Sequence, residues 1–257
     1  METFPLYLCN MIVEACCNSI ASAQAAQAAG VHRIEFCVGL PLGGLTPSRG
    51  LLETYLEEIY TPTRVLIRPR EGDFTYSSEE FKAMLADVSH CVGLGFEGVV
   101  SGVLHSDLSL DIERTQELVA AAGPGCFSFH RAFDWVQQPQ QTLEALSAMG
   151  VHTLLSSGAA PTAAEGLPLL KKLLAMDSGV EIMPGSGVNA ANAHTFKSEG
   201  FKALHLSAVG AVPFLSTAPK VSMNSPAMLS DTKRFVSQQS QLESLLRVLS
   251  DPPQDKI

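Results

Sequence analysis

The sequence is short of basic residues. Among 257 residues, 17 are Lys or Arg against 26 Asp or Glu, a formal net charge of −9. That balance argues against nucleic acid and acidic membrane surfaces as partners, while a local basic pocket for a small anion stays open. Long apolar runs are missing too. None reaches about 18 residues, so nothing is expected to span a membrane. The opening Met1-Glu-Thr-Phe-Pro-Leu-Tyr-Leu has no basic stretch ahead of an apolar one. No secretory signal is expected, and the cytoplasm is the default compartment. Six cysteines occur (Cys9, Cys16, Cys17, Cys37, Cys91 and Cys126), but no Cys-x-x-Cys pair. In a chain of this size they read as reduced thiols rather than a disulfide framework. There is no His-x-His or His-Glu-x-x-His spacing, which gives a zinc hydrolase little support. No Lys stands at the C-terminal end of an expected strand, which disfavours a Schiff-base aldolase; Lys202 falls near the start of the last one.

What is present is a globular composition, 46% hydrophobic and 17% charged, long enough for one large domain or two small ones. Phe127-Ser-Phe-His-Arg-Ala-Phe-Asp134 follows the turn signal Gly123-Pro-Gly125 and begins as a strict alternation. Side chains alternate sides along a strand, so Phe127 and Phe129 share one face and Ser128 and His130 the other. The same reading finds strands at 11–16, 32–37, 64–68, 98–102, 152–157, 180–183 and 201–206. Helices are expected between them, one capped by Asn18 or Ser19, one by Ser77 or Ser78, one broken at Pro168 and one capped by Asn189. About 25 irregular residues then precede a last helix with Phe235, Leu242, Leu245, Leu246 and Leu249 on its apolar face. Eight strand–helix units of roughly 25–30 residues predict a single-domain (β/α)8 TIM barrel over 11–250, with an extension at 1–10 and a tail at 251–257. An open doubly wound sheet is the alternative.

Parity sorts the strands further. If the apolar faces meet the helices, the barrel interior collects Glu14, Cys16, Glu35, Cys37, Arg68, Ser128, His130, His205 and Ser207. Charges in one interior must pair, because lone buried charges are costly. They cluster toward strand C-terminal ends, where barrel active sites are built. Arg68 and Arg70 bracket Pro69, and Arg131 adds a third guanidinium near His130. This set either clamps a carboxylate or phosphate or pairs with Asp73, Glu14 and Asp134. Pro184-Gly-Ser-Gly-Val-Asn189 is a glycine loop after the seventh strand, a position where barrels bind phosphate; Gly185, Ser186, Gly187 and Asn189 are its candidate ligand contacts. Cys16 and Cys37 end two Glu-x-Cys segments on adjacent strands. They either pack as small hydrophobes or hold a soft ion such as Cu(I).

Several segments carry a resemblance. They are Glu14-Ala-Cys-Cys-Asn-Ser19, Gly30-Val-His-Arg-Ile-Glu-Phe-Cys37, Gly43-Gly-Leu-Thr-Pro-Ser48, Ile67-Arg-Pro-Arg-Glu-Gly-Asp-Phe-Thr-Tyr76, Phe129-His-Arg-Ala-Phe-Asp134, Ser156-Ser-Gly158, Glu165-Gly-Leu167 and Ile182-Met-Pro-Gly-Ser-Gly-Val-Asn189. As a set, over residues 11–210, they resemble the CutC copper-homeostasis family. Cys17, Pro41-Leu42 and Ser186 depart from the family's usual residues. The resemblance implies a cytosolic TIM barrel with a role in copper tolerance or trafficking, Cys16 and Cys37 as Cu(I) ligands, and oligomerisation. The residues themselves also fit another class: a cofactor-independent lyase, isomerase or hydrolase acting on a small anionic metabolite. In that class Glu14 or Glu35 would act as base, His130 as acid or base, Arg68 and Arg70 as clamps, and Asp134 and His205 would complete the catalytic set. A third expectation is an inactive barrel serving as a scaffold.

Overall fold

The computed structural model describes residues 11–222 and 231–250; the expected extension at 1–10 and tail at 251–257 lie outside the described residues. In chain order the elements are β1 (Ile12–Cys17), α1 (Ile20–Ala29), β2 (Arg33–Phe36), α2 (Arg49–Glu58), β3 (Thr63–Leu66), α3 (Ser78–Gly93), β4 (Gly98–Ser101), α4 (Ile112–Ala122), β5 (Cys126–Phe129), α5 (Pro139–Ala148), β6 (Thr153–Ser156), α6 (Leu167–Leu174), β7 (Glu181–Pro184), α7 (Ala193–Ser198), β8 (Ala203–Leu206), β9 (Val209–Pro213), β10 (Lys233–Ser237) and α8 (Gln239–Ser250). Strands β1 to β8 form one parallel sheet in the order 7-6-5-4-3-2-1-8. β7 also packs against β8, which brings the ends of the sheet together as a nearly closed (β/α)8 barrel.

The outward residues of the strands explain the wrapping helices. Val13, Ala15, Ile34, Phe36, Val65, Phe127, Phe129 and Leu204 are fully buried in one cluster with Ala23 and Ala26 of α1, Tyr55 of α2, Met84 of α3 and Leu245 of α8. Phe36 packs on Tyr55 with ring centroids 4.2 Å apart. Tyr55 Oη lies 2.8 Å from Thr63 Oγ1, which keeps the buried phenol paired. Caps set where the helices begin. Ser19 accepts from the Ser22 N–H, and Ser77 forms a reciprocal capping box with Glu80. Gly98 lets β4 and β5 approach closely, since a Cβ there would sit 1.9 Å from the Cys126 carbonyl oxygen.

The structure corrects the expected elements in three places. Pro168 lies in the first turn of α6 rather than breaking a longer helix, where its missing N–H costs nothing. Asn189 does not cap a helix. Its Oδ1 takes the Ala191 N–H in a local turn, and α7 starts at Ala193. The irregular stretch contains an antiparallel ribbon of β9 and β10, and Phe235 belongs to β10, half-exposed, not to the face of α8. The ribbon is tied to α1: the Ser237 N–H donates to Ser22 Oγ at 3.0 Å, and Asn18 Nδ2 donates to the Phe235 carbonyl at 3.0 Å.

Candidate functional site at the barrel mouth

The interior is layered. Its lower layer, toward the strand N-termini, is a closed ionic lattice. The Arg33 Nε–H donates to Glu14 Oε2, and Arg33 Nη2 reaches Glu181 Oε2 at 3.4 Å. Arg64 gives Nε and Nη2 to Glu97 Oε1 at 3.3 and 3.1 Å, and its Nη1 donates to Ser128 Oγ at 2.7 Å and Thr153 Oγ1 at 2.8 Å. Thr153 Oγ1 in turn donates to Glu181 Oε2 at 3.2 Å. Parity points Arg33 and Arg64 inward as surely as Glu35 and Leu66, two residues on, yet sequence reasoning passed over both because they lie far from the strand C-termini.

Above this lattice, β1, β2 and β8 bring Cys16, Glu35, Cys37 and His205 together. Cys16 Sγ is 3.8 Å from Cys37 Sγ and donates to Glu35 Oε1 at 3.4 Å. One ligand atom from each of Cys16, Glu35 and His205 lies within 4.8 Å of the other two. His205 Nδ1 is 2.8 Å from Glu14 Oε1, so both Glu14 oxygens are occupied. Burial alone would raise the pKa of Glu14. The His205 hydrogen bond and the Arg33 charge outweigh it and hold the group at about 2. Burial opposes a charge on His205, but Glu35, Cys16 and Glu14 push its pKa well above the ordinary histidine range. The Cys16 thiol is pushed up by its hydrogen bond with Cys37, by burial and by Glu35. Burial likewise pushes the Glu35 carboxyl up.

Across the mouth stand Arg68, just past β3, and His130, just past β5. Arg68 donates through Nη1 to the Leu42 and Gly44 carbonyls at 2.9 and 3.1 Å, and through Nη2 to the Gly72 carbonyl at 2.7 Å. Phe74 lies against both groups, 5.1 Å from the guanidinium carbon and 4.8 Å from the imidazole centroid. The loop after β2 is drawn tight over this wall. At Gly44, with φ +87°, a Cβ would sit 2.7 Å from Leu66 Cδ2 and 3.5 Å from Cys37 Sγ.

Cys16, Glu35, Arg68, His130, Ser186, Gly187 and His205 line one cavity of about 380 Å³, together with Phe74, Arg131 and Ser207. The other predicted site residues are elsewhere. Cys37 touches Cys16 from behind and Glu14 lies beneath His205. Arg70 turns away to pair with Glu80 at 2.7 Å and Asp73 at 3.1 Å. Asp134 is spent on the end of β6: it accepts from Ser156 Oγ at 2.6 Å, Ser157 Oγ at 2.8 Å and Arg131 Nε at 2.8 Å. Gly185 packs under Leu155 and His205, and Asn189 bonds within its own turn. Of the glycine loop, only Ser186, Gly187 and Val188 face the cavity. A flank concavity of about 400 Å³ between Leu108 and Gln141 has no comparable cluster of buried ionisable groups.

Fold and site together define a single-barrel protein whose mouth gathers two thiols, a carboxyl and two imidazoles at the strand C-termini. Residues 11–210 match the CutC family. A CutC family protein of Klebsiella pneumoniae subsp. pneumoniae is 39% identical over 241 residues, covering 93% of this chain and 98% of the relative. Its counterpart from Edwardsiella ictaluri is 44% identical over 203 residues, covering 79% and 81%. The crystal structure of CutC from Streptococcus agalactiae, provisionally described as a copper homeostasis protein, superposes with a TM-score of 0.70 at 31% identity, covering 76% of this chain and 97% of that one. The chain belongs to the CutC family. Thiamine phosphate pyrophosphorylase from Pyrococcus furiosus, at 12% identity and a TM-score of 0.56, shares the fold alone. Among the described residues no helix is long and apolar enough to cross a membrane.

Proposed function

We propose that this chain is a cytoplasmic copper-homeostasis protein that holds Cu(I) at the barrel mouth between Cys16 and Cys37. The observation that carries this reading is the pair of buried, free thiols with their sulfurs 3.8 Å apart. Soft thiolates select Cu(I) over harder ions. Glu35 and His205 beside Cys16 offer a further ligand from the same wall. The Cys16 thiol holds its proton in the free protein, so the ion must displace it, and affinity should rise with pH. The description of the streptococcal relative supports the same reading. Acid–base catalysis by Glu14 has less support, since Arg33 and His205 engage both its oxygens.

The test is an anaerobic Cu(I) titration against a competing chelator. Wild type should bind about one ion, and Cys16→Ser/Cys37→Ser should lose it, while Arg68→Lys keeps it. Binding that survives the double substitution would remove these thiols as the site.

A further inference from the structure

Arg68 stands out among the buried cations of the barrel. Arg33 and Arg64 each meet a carboxylate. Arg68, 5% exposed, donates to three main-chain carbonyl oxygens and has the Tyr76 hydroxyl beside it; no carboxylate of the described residues pairs with it, and its buried Nε–H makes no hydrogen bond of normal geometry among them. Carbonyl dipoles do not neutralise a buried guanidinium; such a charge ordinarily sits with an anion. His130, on the same wall, has the same deficit. Its Nδ1 accepts the Ala132 N–H at 3.2 Å, which places the ring proton on Nε2, and Nε2 is buried with no partner among the described residues. Glu35, which lines the same cavity, has in Oε2 a third buried polar atom with no hydrogen-bond partner among the described residues. A native core leaves few such atoms, and here three belong to residues lining one cavity.

We propose that the mouth cavity binds a small organic anion, its carboxylate or phosphoryl group held by Arg68 Nε–H and His130 Nε2–H and a hydroxyl directed at Glu35 Oε2. An acceptor-rich anion supplies what both donors lack, and it neutralises a buried guanidinium that no carboxylate of the described residues meets. Phe74 closes one side of the charged wall and keeps it dry, which strengthens the attraction. About 380 Å³ suits a metabolite, not a polymer. Burial and the neighbouring Arg68 push the His130 pKa down to about 3, so the ring is a neutral donor at cellular pH and Arg68 alone supplies the charge. The anion site stands on residues other than the thiols and does not depend on the copper reading.

Calorimetric titration of the metal-free protein under anaerobic conditions tests it, with glycolate, inorganic phosphate and the uncharged glycolamide as probes. Glycolate or phosphate should bind saturably, and the tighter of the two assigns the anionic group. Glycolamide should bind at least about tenfold more weakly, and Arg68→Lys should weaken the anion about tenfold by losing the Nε–H and the planar fork. Cys16→Ser/Cys37→Ser should retain anion binding, which separates this result from the copper titration. Because Arg68 also holds three loop carbonyls, a measurement on wild type stands beside the variant: the nitrogen NMR signals of Arg68 Nε and His130 Nε2 should move on titration with the bound anion. No saturable binding of either anion, equal binding of glycolamide, or Arg68 and His130 signals that stay still would overturn the proposal.

Discussion

The two ends of the barrel interior use the same residue types to opposite effect. At the floor, Arg33 and Arg64 meet Glu14, Glu97 and Glu181, and the Ser128 and Thr153 hydroxyls take the remaining Nη1 protons of Arg64. At the mouth, Arg68 Nε, His130 Nε2 and Glu35 Oε2 are buried with no hydrogen-bond partner among the described residues. A satisfied polar lattice fixes geometry and has no capacity left for a ligand. An unsatisfied one costs stability that a ligand can return. The floor therefore reads as the support that holds His205 and β1 in place, and the mouth as the end with capacity for the ligands proposed above.

The largest effect should come from breaking the floor. Arg33→Ala leaves Glu14 buried with only His205 as a partner, and truncating one member of a buried pair costs about 3–5 kcal/mol. Urea denaturation should show that loss. Arg33→Met with Glu14→Leu should recover most of it, since removing both charges leaves none stranded. If Arg33→Ala costs no more than a surface change, the floor is not the support described above.

A smaller effect separates the ends by pH. The folded pKa of His130, lowered by burial and then by Arg68 to about 3, lies below the ordinary value of 6.5. As pH falls, the unfolded chain takes up the proton first. The stability this group contributes is therefore complete above pH 6.5 and drains away as pH drops toward 3. Between pH 6.5 and about pH 5 the loss should be about 2 kcal/mol. Melts of wild type and His130→Gln across that range should differ in slope, the variant being flatter; parallel slopes would mean that His130 is not held neutral.

How far these contrasts were legible in the sequence depends on the period of each signal. Alternation over the strands was enough to place Glu14, Cys16, Glu35, Arg68, His130 and His205 inside, and eight repeats were enough for the barrel. The same alternation marks Arg33 and Arg64, but attention to strand ends overlooks a floor. What stayed hidden is set by pairings distant in sequence. The β9–β10 ribbon joins Val209 to Ser237, with no tight-turn signal between adjacent strands to announce it. Phe235 lies two helical turns before Leu242, so local periodicity assigned it to α8. For Arg70 and Asp134 the sequence left a clamp and a local pairing both open, and the structure takes the pairing: Arg70 meets Asp73 and Arg131 meets Asp134. Asp73 and Glu80 lie on the same loop and the next helix as Arg70, and Ser156 and Ser157 wait at the neighbouring strand end for Asp134. Residue type and position cannot tell a clamp from a brace when a partner is that near.

Arg70 sharpens the comparison at its smallest scale. It sits two residues from Arg68, yet its Nε and Nη2 are taken by Glu80 and Asp73, a further Nη2 bond runs to the Thr75 carbonyl at 2.7 Å, and its guanidinium lies 5.2 Å from the Tyr76 ring. These contacts hold the loop that carries Phe74 over the mouth. Half-exposed ion pairs of this kind contribute little, so Arg70→Gln should lower the melting temperature by only about 2–3 °C. Glycolate or phosphate affinity should change less than about twofold, against the tenfold loss expected for Arg68→Lys. Side-by-side calorimetry of the two variants decides it. A fall with Arg70→Gln as large as that with Arg68→Lys would mean that Arg70 turns inward to reach the ligand, and the boundary between brace and clamp would have to move by one loop.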